Sequence, residues 1–347
     1  MLGPGSDQRL VVGSRPPRGG YGKACPADIF QGRKRMEQVV NGRMGKAVGV
    51  VTAADGNSDQ WAREACKCIR PGRGSSLEAP SHAQTLAEGL VESGGSIQYR
   101  SRVKRIVTQR GRAVGVELAT GERYTADRIV SNATRWDTFN ALLEPAGLPS
   151  SEQGWQSRYA KAPSFLSLHL GVHAEVIPPE TDCHQIVLDD WANLEASGGT
   201  LFISIPTLLD ASLAPPGRHI IHAFTPSWLA DWQGLSQSQY ITQKQQLAQQ
   251  LIQRLEGLFP GLNAAIDHCS IGTPRTHRRF LGRSDGTYGP MPRRPLWGLL
   301  GMPFNRTVVP GLYCVGDSTF PGQGLNAVAF SGFACAHRVA TDLNIRL

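Results

Sequence analysis

The sequence predicts an α/β fold interrupted by an inserted α+β domain, and three observations predict it. Near the C-terminus, residues Gly311 to Gly332 read as a short apolar strand, a Gly/Pro-rich turn and the start of a long helix. From about residue 83, a helically spaced apolar run leads into short strands joined by Gly turns. Between these two regions, residues 134–305 alternate helical and strand runs and read as a domain of their own.

Taken in order, residues 1–80 are expected to be poorly structured or non-native. Gly3-Pro-Gly5, Arg15-Pro-Pro-Arg-Gly-Gly20 and Arg70-Pro-Gly-Arg-Gly74 are turn or coil signals, and Lys46 to Thr52 is an isolated candidate strand that nothing ties to others. A dinucleotide fingerprint is missing: Gly3-Pro-Gly5 and Gly20-Tyr-Gly22 each lack the third Gly or Ala, and neither follows a convincing apolar strand. A transit peptide, disorder and translation out of frame are the readings left for this segment.

Residues 81–133 hold the first regular pattern. Ala83, Leu86, Ala87, Leu90 and Val91 fall at helical spacing, and Gly94-Gly95 ends the helix. Strands are expected over Ser96 to Thr108, Ala113 to Ala119 and Glu122 to Ala126, with turns at Arg110-Gly111 and Thr120-Gly121. Asp127 to Ala133 brings the chain back in a further short strand.

Within 134–305, Phe165 to Gly171, Thr200 to Pro206 and His219 to Thr225 read as strands, and Tyr240 to Phe259 as a helix ended by Pro260-Gly261. Strands rich in Leu, Ile and Phe either floor an apolar cavity or simply make a core. The basic run Thr273-Pro-Arg-Thr-His277-Arg278-Arg279-Phe280 suits a membrane headgroup layer or a solvated loop. Trp297 to Phe304 is apolar and suits a bilayer interface or a tunnel wall. His277 is the candidate proton donor or acceptor, because an imidazole ordinarily titrates near neutrality.

The closing segment, 306–347, carries the densest chemistry. Leu312 to Val315 is a brief apolar run closed by Gly316, as expected of a strand buried on both faces. The helix after it, running to about Leu343, sets Val328, Gly332, Cys335, Val339 and Leu343 on one face, so it is expected to be buried. Asp317 stands where a carboxylate accepts hydrogen bonds from a sugar-like hydroxyl. Gly322 and Gly324 free the backbone for close approach, and the helix N-terminus offers N–H groups to an anion or an electron-rich ring. The ordinary alternative is a tight crossover with a capping Asp.

Charge narrows the field. Residues 1–76 hold 13 Lys/Arg against 6 Asp/Glu, whereas 77–347 hold 23 against 22, so the basic excess belongs to the first segment. A nucleic-acid surface needs basic residues clustered on a folded face, and none is expected here. The seven cysteines show no metal-ligand spacing and read as free thiols in a reducing compartment; no metal is expected. No apolar run approaches the roughly 18 residues of a spanning helix.

From about residue 83 onward the chain resembles the carotenoid (prolycopene) isomerases of the phytoene desaturase-like flavoproteins. Ile129 to Thr138, Phe165 to Gly171, Thr273 to Phe280 and Gly311 to Gly332 carry the resemblance. It implies a FAD-binding, glutathione reductase-like fold that lacks its N-terminal GxGxxG βαβ unit, with 81–133 as the second part of the FAD domain and 134–305 as the substrate domain. Gly316, Asp317, Gly322, Gly324, Leu325, Asn326 and Ala327 are implied to contact the flavin, and Val103 to meet the adenine edge through its backbone. The implied activity is conversion of poly-cis-lycopene to all-trans-lycopene with reduced FAD and no net redox change. A carotenoid substrate and a peripheral contact with a cyanobacterial (thylakoid or plasma) or plastid membrane go with it. A desaturase or saturase of the same fold, or a non-catalytic fragment, are the rival readings.

Overall fold

The computed structural model describes residues 8–12, 47–50, 82–143, 148–188, 190–194, 196–283, 286–294, 298 and 301–345. In chain order they form β1 (Gln8–Val12), β2 (Ala47–Val50), α1 (His82–Glu92), β3 (Ser96–Tyr99), β4 (Val103–Gln109), β5 (Arg112–Leu118), β6 (Arg123–Thr125) and β7 (Arg128–Ser131). Then come α2 (Ser150–Arg158), β8 (Tyr159–Lys161), β9 (Ser164–His173), β10 (His184–Leu188), β11 (Thr200–Ser204) and β12 (Arg218–Ser227). The last are α3 (Gln237–Leu258), β13 (Ile266–Gly272), α4 (Pro274–Leu281), β14 (Pro290–Pro292), β15 (Leu312–Cys314) and α5 (Leu325–Asp342). They divide into two compact units, with residues 163–287 forming the second and the other elements the first.

The first unit is built on a sheet in the order β15-β7-β2-β1-β3. β15 and β2 both run parallel to β7, while β1 is antiparallel to β2 and β3. Adjacent parallel strands need a crossover between them, which places this unit in the α/β class. A second, antiparallel sheet of β4, β5 and β6 follows β3. The strand expected over Ser96 to Thr108 is thus two strands in two sheets. The break is at Arg100, whose φ of 56° turns the chain out of the extended region. Both sheets share a core in which Ile106 and Ile129 are fully buried beside Leu312 and Cys314. Each such side chain contributes roughly 1.5–3 kcal/mol by leaving water.

One expectation needs correction here. Within the segment expected to be poorly structured, β1 and β2 take places in the sheet, β2 falling inside the Lys46 to Thr52 candidate. β3 pairs with β1, and β15 with β7. Gln-Arg-Leu-Val-Val and Ala-Val-Gly-Val are too short for periodicity to register, and only long-range pairing defines them. The rest of residues 1–80, with both Gly-x-Gly stretches, lies outside the described residues.

The second unit is narrower than the 134–305 expected from the sequence. Residues 134–162 and 288–305 belong to the first unit, where Trp136, Trp155, Tyr159 and Met302 share a cluster with Phe320. β8 and β14, which flank the insertion, pair antiparallel with Lys161 opposite Pro290. Within the second unit, five antiparallel strands run in the order β10-β11-β12-β9-β13. Alternation sends Leu166, Leu168, Leu170 and Val172 of β9 to one face, where they pack with Ala248, Leu251, Ile252 and Leu255 of α3. α3 opens on a capping box, Ser236 with Gln239, and ends before Pro260 and Gly261, the latter at φ 88°. Among the described residues, no helix is long and apolar enough to cross a membrane.

Candidate functional site

The turn between β15 and α5 is held from below by polar side chains, most of them hidden from a reading of the sequence. β15 is buried throughout, as its apolar run predicts. At its end Gly316 has φ 93°, and a Cβ there would collide with the Asn132 side-chain oxygen. Only glycine meets both demands. The Gly316 N–H donates to Ser331 Oγ at 3.2 Å, tying the turn to the second turn of α5. Asn305 Nδ2 donates to the carbonyls of Cys314 (3.0 Å) and Ser331 (3.1 Å), joining strand to helix. Asn305 and Ser331 are residues the sequence reading missed; an Asn just before an apolar strand carries no signal of its own.

Asp317, Ser318 and Thr319 are buried in the turn. Ser318 Oγ accepts from the Arg135 N–H at 3.0 Å, and the Phe320 N–H donates to the Pro303 carbonyl at 2.8 Å. Arg135 in turn pairs through its guanidinium with Glu152, with both side chains buried against Phe139 and Trp155. A buried pair of this kind is worth most as a positional lock, since the carboxylate has few other places to put its charge. Burial pushes the Cys314 thiol up to about 11 and Cys335 up to about 12, so neither is a nucleophile at neutral pH. The four described cysteines are free thiols.

Past the turn, the backbone opens. Gly322 has φ 117° and Gly324 φ 99°, and Gly324, as the N-cap of α5, offers no side-chain cap to the first N–H groups. The first turn of the helix carries no acidic residue, and Leu325 and Asn326 are exposed, with Ala327 half-buried. This differs from the buried helix expected. Ser331, Cys335, Val339 and Ala340 face inward, while Leu325, Phe330 and Phe333 are about half exposed or more. Small residues lie on every side of the helix, so the apolar stripe does not single out one face.

The remaining candidates fall elsewhere. Val103 is a core residue of β4, paired with Leu118 and in the same cluster as Leu312. His277 lies on α4 of the second unit. Burial lowers its pKa to about 4, opposed in part by a hydrogen bond with the Phe165 backbone. It is therefore a neutral imidazole at pH 7, not the near-neutral titrating group its residue type suggests. Trp297, Leu299 and Leu300 lie outside the described residues, while Met302 is buried and Phe304 exposed. Among the described residues no cluster of three or more metal-ligating side chains occurs.

The arrangement defines an α/β protein with a glycine-flanked helix N-terminus at the end of a buried strand, a place that suits an anionic or electron-rich group. The family described as Flavin containing amine oxidoreductase matches residues 59–340, and the chain belongs to that family. It is 60% identical over 265 residues to the chloroplastic prolycopene isomerase of Arabidopsis thaliana, covering 76% of this chain and 44% of that protein. Against the prolycopene isomerase of Daucus carota the identity is 58%, over 76% of this chain and 43% of that one. A neurosporene-forming phytoene desaturase of Cereibacter sphaeroides is 26% identical over 75% of this chain and 52% of its own length. The cyclohexylamine oxidase of Brevibacterium oxydans IH-35A is a distant structural likeness, at TM-score 0.46 and 17% identity over 71% of this chain and 49% of that one. The chain spans less than half the length of the prolycopene isomerases it matches.

Proposed function

We propose that this chain serves a FAD-dependent cis–trans isomerisation, converting poly-cis-lycopene to all-trans-lycopene with reduced flavin, within a glutathione reductase-like fold. The observation that carries this is the 60% identity to a prolycopene isomerase over three quarters of the chain. The turn supports it, because its features suit a flavin. The N-cap of α5, Gly324, is exposed and has no side chain to cap the helix, and Gly322 and Gly324 both hold backbone angles that favour glycine. Thr319 Oγ1, buried in the turn, has no hydrogen-bond partner among the described residues.

In this reading the N–H groups of Leu325, Asn326 and Ala327 would hold the electron-rich part of the ring, because the helix dipole favours negative charge there. Asp317 accepts from a ribityl hydroxyl, Gly316 keeps the turn low, and Val103 offers its backbone to the adenine edge. When bound, reduced flavin would supply the electron density that permits rotation about a polyene double bond with no net redox change, so substrate and product would have equal hydrogen counts. The protein's part is to orient the polyene, exclude water and hold the turn rigid. The names of the relatives favour a plastid setting, and the exposed Arg278 and Arg279 of α4 suit a peripheral contact with a plastid or cyanobacterial membrane.

Chromatography of a poly-cis-lycopene incubation with flavin reduced and oxidised tests the proposal. All-trans-lycopene of unchanged mass, formed only with reduced flavin, is expected. A product two hydrogens lighter or heavier would instead favour desaturation or saturation, the reading supported by the 26% identity to a phytoene desaturase.

A further inference from the structure

In the second unit, α4 packs beside the short helical turn Leu229–Trp232, and a cleft of about 300 Å³ opens between them. It is lined by Leu229, Trp232, Gln233, Gly234, Arg275 and Arg278. The lining thus carries two guanidinium groups and no carboxylate. Local sequence explains how both arginines reach it. Thr273 caps α4 by accepting from the Thr276 N–H, Pro274 opens the first turn, and Arg275 and Arg278 then fall three residues apart on one helix face.

The two arginines are held differently. Arg275 is fixed: Nε and Nη2 donate to the Trp232 carbonyl at 3.0 and 2.6 Å, and Nη2 also reaches the Leu235 carbonyl at 3.3 Å. Its guanidinium lies 4.8 Å from the centre of the Tyr240 ring. Trp232 is itself fully buried and anchored through Nε1 to Ser227 Oγ at 2.9 Å. The other terminal nitrogen of Arg275, Nη1, has no acceptor among the described residues. Arg278 is exposed, and its guanidinium has neither an acceptor nor a carboxylate partner among the described residues.

A cation near a helix C-terminus gains from the dipole, and that accounts for one exposed arginine. It does not account for a second guanidinium locked into the same cleft wall. Fixing Arg275 in advance removes side-chain entropy that a ligand would otherwise have to offset. Gln233 adds an amide, and Gly234, at φ 70°, leaves its backbone unshielded by a side chain. Leu229 and the Trp232 ring supply an apolar wall. Two separate forks are best shared by a group with three outward oxygens, which a phosphomonoester has and a carboxylate lacks.

We propose that this cleft binds a phosphomonoester, with Arg275 and Arg278 sharing its oxygens and Leu229 and Trp232 meeting the group that carries it. The same chemistry comes from two sources, a small soluble phosphate or a lipid headgroup. Next to Trp232, Asp231 accepts from Ser197 Oγ at 2.7 Å, which ties down the loop that exposes Trp191 and Leu194. A lipid source rests on the peripheral membrane contact proposed above for Arg278. A soluble source does not.

The test uses the full 347-residue chain. Calorimetric titration with glycerol phosphate reads the soluble source. Co-sedimentation with phosphatidylcholine vesicles, with and without phosphatidic acid, reads the lipid one. Saturable binding in at least one arm is expected, and the arm in which it occurs names the source. Arg278→Gln should weaken it about tenfold or more, as loss of a charge-assisted hydrogen bond does. Gln233→Trp, which fills the cleft and keeps the charge, should weaken it as much. Arg279→Gln removes the same charge from the next position and should change glycerol phosphate binding by less than about twofold. All three positions are exposed, so each variant is expected to fold, which thermal melts verify. Equal losses in Arg278→Gln and Arg279→Gln would mean diffuse attraction to a basic surface and overturn the site. Binding untouched by Gln233→Trp, or a parent chain that binds in neither arm, overturns it too. Binding of glycerol phosphate without any response to phosphatidic acid supports the cleft and removes only the lipid source. None of these failures bears on the flavin turn, which belongs to the first unit.

Discussion

The side-chain nitrogen of Asn305 lies 3.1 Å from the carbonyl oxygen of Ser331, so a residue before β15 holds the second turn of α5 in place. The same nitrogen also serves the Cys314 carbonyl, and all three residues are buried. Asn305→Ala leaves those carbonyls without this donor in a site water does not reach. A loss of about 1–3 kcal/mol is expected, measured by urea unfolding. A change below a few tenths of a kcal/mol would show that the clamp is dispensable.

Gly316 and Gly324 should fail in different ways. At Gly316 a methyl group meets Asn132, so Gly316→Ala should destabilise the fold itself. At Gly324 the space is open and the cost is backbone strain, about 1–3 kcal/mol at φ 99° and ψ 154°. Gly324→Val should therefore still fold but lose flavin when the protein is reconstituted with FAD. Equal flavin stoichiometry in folded Gly324→Val and parent protein would remove the helix terminus from the proposed site.

Arg135 and Glu152 should show strong coupling. Arg135→Met strands a buried carboxylate and should cost about 3–5 kcal/mol, whereas Arg135→Met with Glu152→Leu should recover most of that. Thermal denaturation of the two single variants and the double variant completes the cycle. Additive losses would mean that the pair does not act as a unit.

Acid should weaken the second unit before it affects most carboxylates. His169, His222 and His277 are held neutral by burial, two of them at about 3 and about 4. Unfolding frees them to bind protons at about 6.5, so the unfolded state gains protons that the native state does not as pH falls below that value. Stability is full above about pH 6.5 and is expected to drop progressively toward about pH 3. Urea midpoints across this range should fall steeply for the parent and less steeply for His169→Phe. Parallel slopes for the two would show that His169 is not held neutral.

Much of the fold could be read from local pattern. Gly94-Gly95, the turns at Gly111 and Gly121 and the Pro260-Gly261 stop each mark an element end through backbone chemistry that needs no tertiary partner. β1 was not legible, and β2 only as an isolated candidate, because segments of four or five residues become strands only when distant strands pair with them. The glycines of the site could be found, since positive φ narrows the choice of residue. Asn305, Ser331 and Glu152 could not, because what makes them part of the site is a partner 9 to 26 residues away in sequence. His277 was visible, but its charge state was not: burial, not residue type, decides it. The pairing of His222 with His169 required the register of β9 on β12.

The pairing of Lys161 with Pro290 brings together the two ends of a 128-residue excursion, residues 162–289. Loop closure entropy grows only with the logarithm of length, so doubling such an excursion costs about 0.6 kcal/mol. The neck is thus thermodynamically almost blind to what it encloses. Evolution is free to lengthen, shorten or reline the second unit without renegotiating the stability of the first. A single scaffold with this neck can be refitted as a garment is, by changing the panel while keeping the seam.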